Sequence, residues 1–268
     1  MTSSPRINSL RRTLESDTVA LGVLESTYSP TLVELYGELG LDFVWIDLEH
    51  GGPSPRDGDR LEELLRAADT SGTELLVRLP DPDPGTVRKV LDAGVRNLFV
   101  SRVESADDVR QAVRAARFEY DGEPGRRGFA NPRASRWGTT ADYAATEDEE
   151  IVVGATIEHP TAVDNLEEIL SVPELGFVFA GPLDLAVATG HPGEPAHEEV
   201  EELVEEIRTA ALEADVPLGG LGFGMDDVNE KADSGYQLLN LGSTTGAVQG
   251  VVRSWLTEYE GERERDEE

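Results

Sequence analysis

Apolar and polar positions alternate along this chain in two distinct rhythms. Short apolar runs of five to eight residues recur at 19–24, 42–47, 74–79, 96–101, 151–158, 176–180, 217–221 and 237–241. Between them lie stretches with a period near 3.6, such as Leu-Glu-Glu-Leu-Leu-Arg-Ala-Ala at 61–68 and Val-Glu-Glu-Leu-Val-Glu-Glu-Ile at 200–207. The short runs predict strands and the periodic stretches predict amphipathic helices. Gly40, Gly72, Gly94 and Gly235 stand where such helices stop. A further amphipathic helix over 5–15 precedes the first strand.

Eight strands in strict alternation with helices imply a closed parallel sheet rather than an open one. The length of 268 residues agrees with the roughly 250 typical of one (β/α)₈ TIM barrel. The expected organisation is a single α/β barrel domain over 1–260, carrying an N-terminal helix, and an acidic tail over 261–268. Two connections are too long for simple turns, about 118–150 and 181–196, and long loops in a compact domain are usually functional. Both are expected at the carboxyl face of the barrel, with the amino face as the alternative for the first.

Composition narrows the partners. With 54 acidic against 23 basic residues the formal charge is −31, so polyanions such as nucleic acids are poor partners. The acids are spread along the chain rather than gathered into one docking block, which points to a halophilic protein adapted to a salty cytoplasm. No apolar stretch approaches the roughly 18 residues of a membrane helix, and 1–17 carries Arg6, Arg11 and Arg12 without the apolar run of a secretory signal. A cytoplasmic protein with no membrane partner is expected. The chain has no cysteine, so any metal must be held by carboxylate, imidazole or water.

In a barrel of this kind the chemistry sits where strands end and the following loops begin. The second strand runs into Asp47, Glu49 and His50; the third ends at Arg78 before Pro80; the fifth ends at Glu158; and the sixth empties into Gly181, Pro182, Leu183 and Asp184. Two carboxylates from neighbouring strands suit a hard cation such as Mg²⁺ or Mn²⁺, which takes its remaining oxygens from water and substrate. The competing reading has Glu158 capping the next helix and Asp184 satisfying loop amides. Asp47, three residues before His50, is placed to hold the imidazole of a proton-abstracting base. Arg78 suits an enolate oxygen, or else an ion pair with one of many acids. His159, His191 and His197 are expected in capping or hydrogen-bonding roles. Lys89 and Lys231, the two lysines, fall on predicted helices, which disfavours a Schiff base. Residues 124–141 hold Arg126, Arg127, Arg133 and Arg136 and no acid, a patch suited to an anionic substrate or to an acidic neighbouring subunit.

These segments, taken in order, resemble the HpcH/HpaI aldolases. The resemblance is carried by Trp-Ile-Asp-Leu-Glu-His-Gly at 45–51, Leu-Leu-Val-Arg-Leu-Pro at 75–80, Gly-Arg-Arg-Gly-Phe at 125–129, Arg-Ala-Ser-Arg-Trp at 133–137, the run at 155–170 containing Glu158, and Gly-Pro-Leu-Asp-Leu at 181–185. It implies a metal-dependent class II aldolase acting on a 2-oxo acid and an aldehyde. Glu158 and Asp184 would then ligate Mg²⁺ or Mn²⁺, with Co²⁺ a further candidate. His50 with Asp47 would form the base, Arg78 would bind the oxo oxygen, and amides near Leu183 and Asp184 would receive the carboxylate. A homo-oligomer, a hexamer built as a trimer of dimers with the last helix on a neighbour, is also implied. Ser101, Arg102 and Ser243 depart from the residues often found in that family and leave the aldehyde open. The alternatives are an acyl-CoA thioester lyase of the citrate lyase β type, whose phosphates the arginine patch would receive, and a barrel that binds an oxo acid without turnover.

The charge itself generates a test. Like-charge repulsion is screened within about 3 Å at molar salt, so the thermal midpoint is expected to rise steeply between low and molar KCl. A flat profile in a thermal melt series would remove the halophilic reading.

Overall fold

The computed structural model describes residues 6–16 and 18–259. The tail 261–268, and Pro5 at the start of the expected first helix, lie outside the described residues. Eight parallel strands close into a barrel: β1 (Ala20–Leu24), β2 (Phe43–Asp47), β3 (Glu74–Leu79), β4 (Asn97–Val100), β5 (Val152–Ile157), β6 (Phe177–Ala180), β7 (Leu218–Leu221) and β8 (Leu238–Ser243). Each pairs in parallel with its neighbours, and β8 returns to β1 through Ala20 opposite Leu238. All eight expected strands are present, with ends shifted by a residue or two. The chain is therefore an α/β TIM barrel. The opening helix, α1 (Ser9–Leu14), plugs the amino end with Leu10 and Leu14.

The period of two along each strand divides the apolar residues between two cores. Outward-facing Val44, Ile46, Val77 and Val153 pack under the helices, while inward-facing Phe43, Trp45, Leu76, Phe99, Phe177 and Phe179 fill the barrel. Trp45 meets Phe99 and Phe179 edge-on at 5.4 and 5.5 Å between ring centroids. Two strand glycines make this filling possible. A Cβ on Gly22 would stand 2.3 Å from the Phe43 ring, and one on Gly154 would stand 2.3 Å from Phe177.

The helices α2 (Pro30–Glu38), α3 (Gly58–Ser71), α4 (Pro84–Ala93) and α5 (Ala106–Ala116) follow the first four strands. Gly72 and Gly94 terminate α3 and α4 in left-handed conformations, at φ 78° and 112°. Before β5 comes α6 (Tyr143–Glu150), and beyond it come α7 (Pro160–Asp164), α8 (Leu166–Leu170), α9 (Pro182–Ala188), α10 (Glu198–Glu213), α11 (Met225–Asp233) and α12 (Thr244–Glu258). α12 keeps only Thr244 buried and exposes Val248, Val251, Val252 and Trp255.

The first long connection corrects an expectation. It joins the end of α5 to the start of β5, and helix ends and strand starts share the amino face, so 117–151 covers that face and not the carboxyl one. Its arginines serve there. Arg127 reaches Glu147 at 3.2 Å, and Glu147 also receives Arg96 from the foot of β4 at 3.0 Å. Arg133 binds Asp69 at 2.6 Å and the carbonyl of Ala93 at the end of α4. The second long connection, containing α9, stands at the carboxyl face as expected.

Candidate active site

Strand parity decides which side chains reach the mouth of the barrel. Phe43, Trp45 and Asp47 alternate inward on β2, Leu76 and Arg78 on β3, and Thr156 and Glu158 on and just past β5. Asp47 and Arg78 are direct partners in the β2–β3 register. Their side chains meet in a two-pronged pair, Arg78 Nε donating to Asp47 Oδ1 at 2.9 Å and Nη2 to Oδ2 at 2.6 Å. Arg78 Nη1 lies 3.2 Å from Glu49 Oε2, and the guanidinium sits over the Trp45 ring at 5.0 Å. Burial pushes the Asp47 carboxyl up, but the hydrogen bonds and charge of Arg78 outweigh it and hold Asp47 below its ordinary value.

Glu158 enters from the neighbouring wall. It is buried, and its Oε1 accepts the backbone N–H of Arg102 at 2.6 Å, so it does not cap the following helix; the His159 ring does that, accepting the N–H of Thr161. Burial raises the Glu158 carboxyl to about 7, with the negative charges of Glu49 and Asp184 adding to the effect. Gly181 has to be small, because a Cβ there would stand 2.7 Å from the Glu158 Cβ. Next to it Pro182 opens α9, with Leu183 and Asp184 exposed in its first turn. First-turn amides have no partner within their own helix, so those of Leu183 and Asp184 face outward as donors.

His50, Arg78, Glu158, Gly181, Leu183 and Asp184 line one cavity of about 410 Å³, together with Trp45, Asn240 and Ser243. Larger clefts of about 850 and 920 Å³ open at the amino end and contain none of these residues. A buried carboxylate, Glu158, and an exposed one, Asp184, whose charge adds to the rise of Glu158, form a donor set suited to a hard divalent cation. Trp45 Nε1, Thr156 Oγ1 and Asn240 Oδ1 are buried in the same wall without a protein hydrogen-bond partner, leaving polar atoms available to a polar occupant.

The expected contact between Asp47 and the His50 ring is not formed. Asp47 points into the barrel and spends its carboxylate on Arg78 and on backbone amides, accepting from Glu49 N–H at 2.9 Å and His50 N–H at 3.5 Å. His50 projects from the loop beyond the strand, its side chain 55% exposed, and its Nε2 lies 3.6 Å from Glu49 Oε2. Glu49 is thus the residue that sequence reasoning left without a role. Its side chain is 7% exposed and faces Arg78, Arg102 and His50. A carboxylate between Asp47 and His50 in one short run was the available signal. Arg102 carries a left-handed backbone, φ 57°, and its exposed guanidinium lies 3.3 Å from Glu49. Ser243, at the tip of β8, caps α12 by accepting the N–H of Gly246 at 3.1 Å.

A TIM barrel with a carboxylate-rich, arginine-braced mouth defines a broad class of barrel enzyme, and comparison narrows it. Residues 22–249 match the HpcH/HpaI aldolase/citrate lyase family, and the chain belongs to it. It is 30% identical over 249 residues to the 2-dehydro-3,6-dideoxy-6-sulfogluconate aldolase of Pseudomonas putida, covering 92% of this chain and 95% of that protein. It is 31% identical over 255 residues to the hydroxypyruvate/pyruvate aldolase of Paraburkholderia phytofirmans, covering 94% and 97%. Among solved structures, an HpcH/HpaI aldolase/citrate lyase family protein from Burkholderia cenocepacia superposes with a TM-score of 0.88 at 31% identity, covering 94% of this chain and 98% of that one.

The raised Glu158 carboxyl predicts a pH-dependent cost. A carboxyl whose folded value lies above its unfolded value favours the fold below the unfolded value, and that contribution is lost as pH rises through about 7. Glu158→Gln keeps the acceptor for Arg102 and removes the charge. In the presence of chelator at pH 8 it is expected to be more stable than the parent by an amount on the order of 1–3 kcal/mol, the gap narrowing toward pH 5. Denaturant melts at both pH values check this, and a variant less stable than the parent at pH 8 would refute it.

Proposed function

We propose that this chain is a divalent-metal-dependent carbon–carbon lyase. It reversibly cleaves a 4-hydroxy-2-oxo acid into pyruvate, or a close analogue, and an aldehyde. The reading is carried by the convergence of His50, Arg78, Glu158 and Asp184 on one cavity at the carboxyl end of the barrel. The named activities of the aldolase relatives support the substrate class.

Glu158 and Asp184 would hold the cation, Mg²⁺, Mn²⁺ or Co²⁺, which when bound supplies positive charge to the 2-oxo acid. Arg78 has five N–H donors, of which Asp47 takes two, while Nη1 stands 3.2 Å from Glu49 Oε2 as an ion pair. The remaining donors are free to hold the oxo oxygen as it gains charge. Asp47 fixes the plane of that guanidinium and ties down the amides of Glu49 and His50, so it acts as a positioning residue. The amides of Leu183 and Asp184 receive the substrate carboxylate, where Pro182 has no N–H to offer and Gly181 leaves room.

In the cleavage direction the His50 ring takes the proton of the 4-hydroxyl. The O–H electron pair forms the aldehyde carbonyl, the C3–C4 bond breaks, and its electrons pass into the enolate of pyruvate. His50 then returns the proton to C3, giving pyruvate and leaving the residue unchanged. The exposed ring suits this exchange with a diffusible aldehyde. The thioester alternative depended on the arginine segment as a phosphate receptor, and Arg127 and Arg133 are instead tied to Glu147 and Asp69 at the amino face. The exposed apolar residues of α12 support a homo-oligomer, with that face against a second copy; the hexamer is the assembly implied by the family.

Deuterium exchange into the methyl group of pyruvate tests the mechanism without knowledge of the aldehyde. The protein with Mg²⁺ or Mn²⁺ is expected to exchange these protons in heavy water, as read by proton NMR, and chelation is expected to abolish it. His50→Ala is expected to exchange about 10²–10⁴-fold more slowly while still binding metal, with Asp47→Asn between the two. Glu158→Ala and Asp184→Ala are expected to lose the metal. No metal-dependent exchange in the parent would reject pyruvate as the nucleophile, and undiminished exchange in His50→Ala would reject that base.

A further inference from the structure

A second cluster of side chains able to ligate a metal lies outside this cavity, in the loop between α9 and α10 and the first turn of α10. His191 Nε2 is 2.9 Å from Glu199 Oε2, and the His191 and His197 rings stack with centroids 3.4 Å apart and planes 13° from parallel. The His197 Nδ1 accepts the N–H of Glu199 at 3.3 Å, which leaves its Nε2 directed away from the helix. One ligand atom from each of the three residues falls within 4.8 Å of the others, and among the described residues this is the one such group of three His, Asp or Glu side chains.

The loop that carries these residues is braced. His191 N–H donates to Ala186 O at 2.7 Å, Glu194 N–H to His191 O at 3.0 Å, and His197 N–H to Glu194 O at 3.0 Å. Successive turns thus bring the two imidazoles together, although five residues separate them in the chain. A cation at the start of α10 would oppose the helix dipole, but Glu198, Glu199 and Glu201 in the first turn reverse the local sign. Two imidazoles and a carboxylate make a borderline-soft set, unlike the all-oxygen pair Glu158 and Asp184. Such a set selects Zn²⁺, Co²⁺ or Ni²⁺ over Mg²⁺, with water completing the coordination. The approach of the three donors to a common ion needs only side-chain rotation, since the Glu199 carboxylate is exposed.

We propose that His191, His197 and Glu199 form a transition-metal site that clips the loop after α9 to the first turn of α10. The clip has a bracing role, because the ligands stand apart from the residues that line the cavity. It fixes the far end of the connection whose near end carries Leu183 and Asp184. The site does not depend on the aldolase reading.

Zn²⁺ is the probe, added to protein already saturated with Mg²⁺. The parent is expected to bind one further equivalent of Zn²⁺ by equilibrium dialysis and to melt at a higher temperature with it, and Co²⁺ in its place is expected to give a visible absorption band. His191→Ala and Glu199→Gln are expected to lose that equivalent and the rise in melting temperature. His197→Asn separates ligation from capping, since Asn also caps a helix, and is expected to lose the metal while keeping the metal-free melting temperature. Asp184→Ala is expected to retain the Zn²⁺ equivalent, which distinguishes this site from displacement at the cavity. No additional Zn²⁺ in the parent, or equal Zn²⁺ in parent and His191→Ala, would overturn the assignment.

Discussion

The mouth of this barrel is organised around one buried ion pair, the two-pronged contact between Asp47 and Arg78. Its two members are register partners on adjacent strands, so backbone pairing alone sets their separation. Removing either would strand a buried charge, a loss of about 3–5 kcal/mol in comparable pairs. The pair is also a hub. Through Arg78 it orients Glu49, and through its carboxylate it gathers the amides of Glu49 and His50. The loop that carries the imidazole is therefore anchored to the strand by the same carboxylate that holds the guanidinium.

Much of this arrangement is readable from the chain because a strand has a period of two. Trp45, Asp47, Arg78 and Glu158 share the inward parity with the aromatic residues below them, and the eight apolar runs mark the eight strands. What failed to transfer was anything that depended on direction beyond a strand end. The three-residue spacing of Asp47 and His50 reads as proximity, yet the first points into the barrel and the second leaves it with the loop. Glu49 was overlooked because an acid in so acidic a chain carries little signal until its burial is known. The arginine segment was expected at the carboxyl face with the amino face as the alternative, and a connection from a helix to the next strand has to end at the amino one. The stacking of His191 on His197 depends on two successive turns, and no periodicity announces those.

The two ends of the barrel divide the labour. At the amino end, Arg6, Arg12, Arg96, Arg127 and Arg133 are set against Glu74, Glu150, Glu147 and Asp69, and α1 closes the opening. A chain with more than twice as many acids as bases thus concentrates many of its cations where they stitch one face together. At the carboxyl end burial, with the negative charges of Glu49 and Asp184 adding to it, raises the Glu158 carboxyl. On the proposed reading, the repulsion among these carboxylates is the same feature that would suit them to a divalent ion.

The contact between Arg102 and Glu158 runs through the backbone of Arg102, not its side chain. Any residue except proline can supply that N–H, and the left-handed conformation there is cheapest for glycine, asparagine or aspartate. The side chain at 102 is consequently uncoupled from the carboxylate that its own amide holds. Any change of the side chain at 102 that leaves its N–H in place therefore leaves the buried carboxylate its anchor.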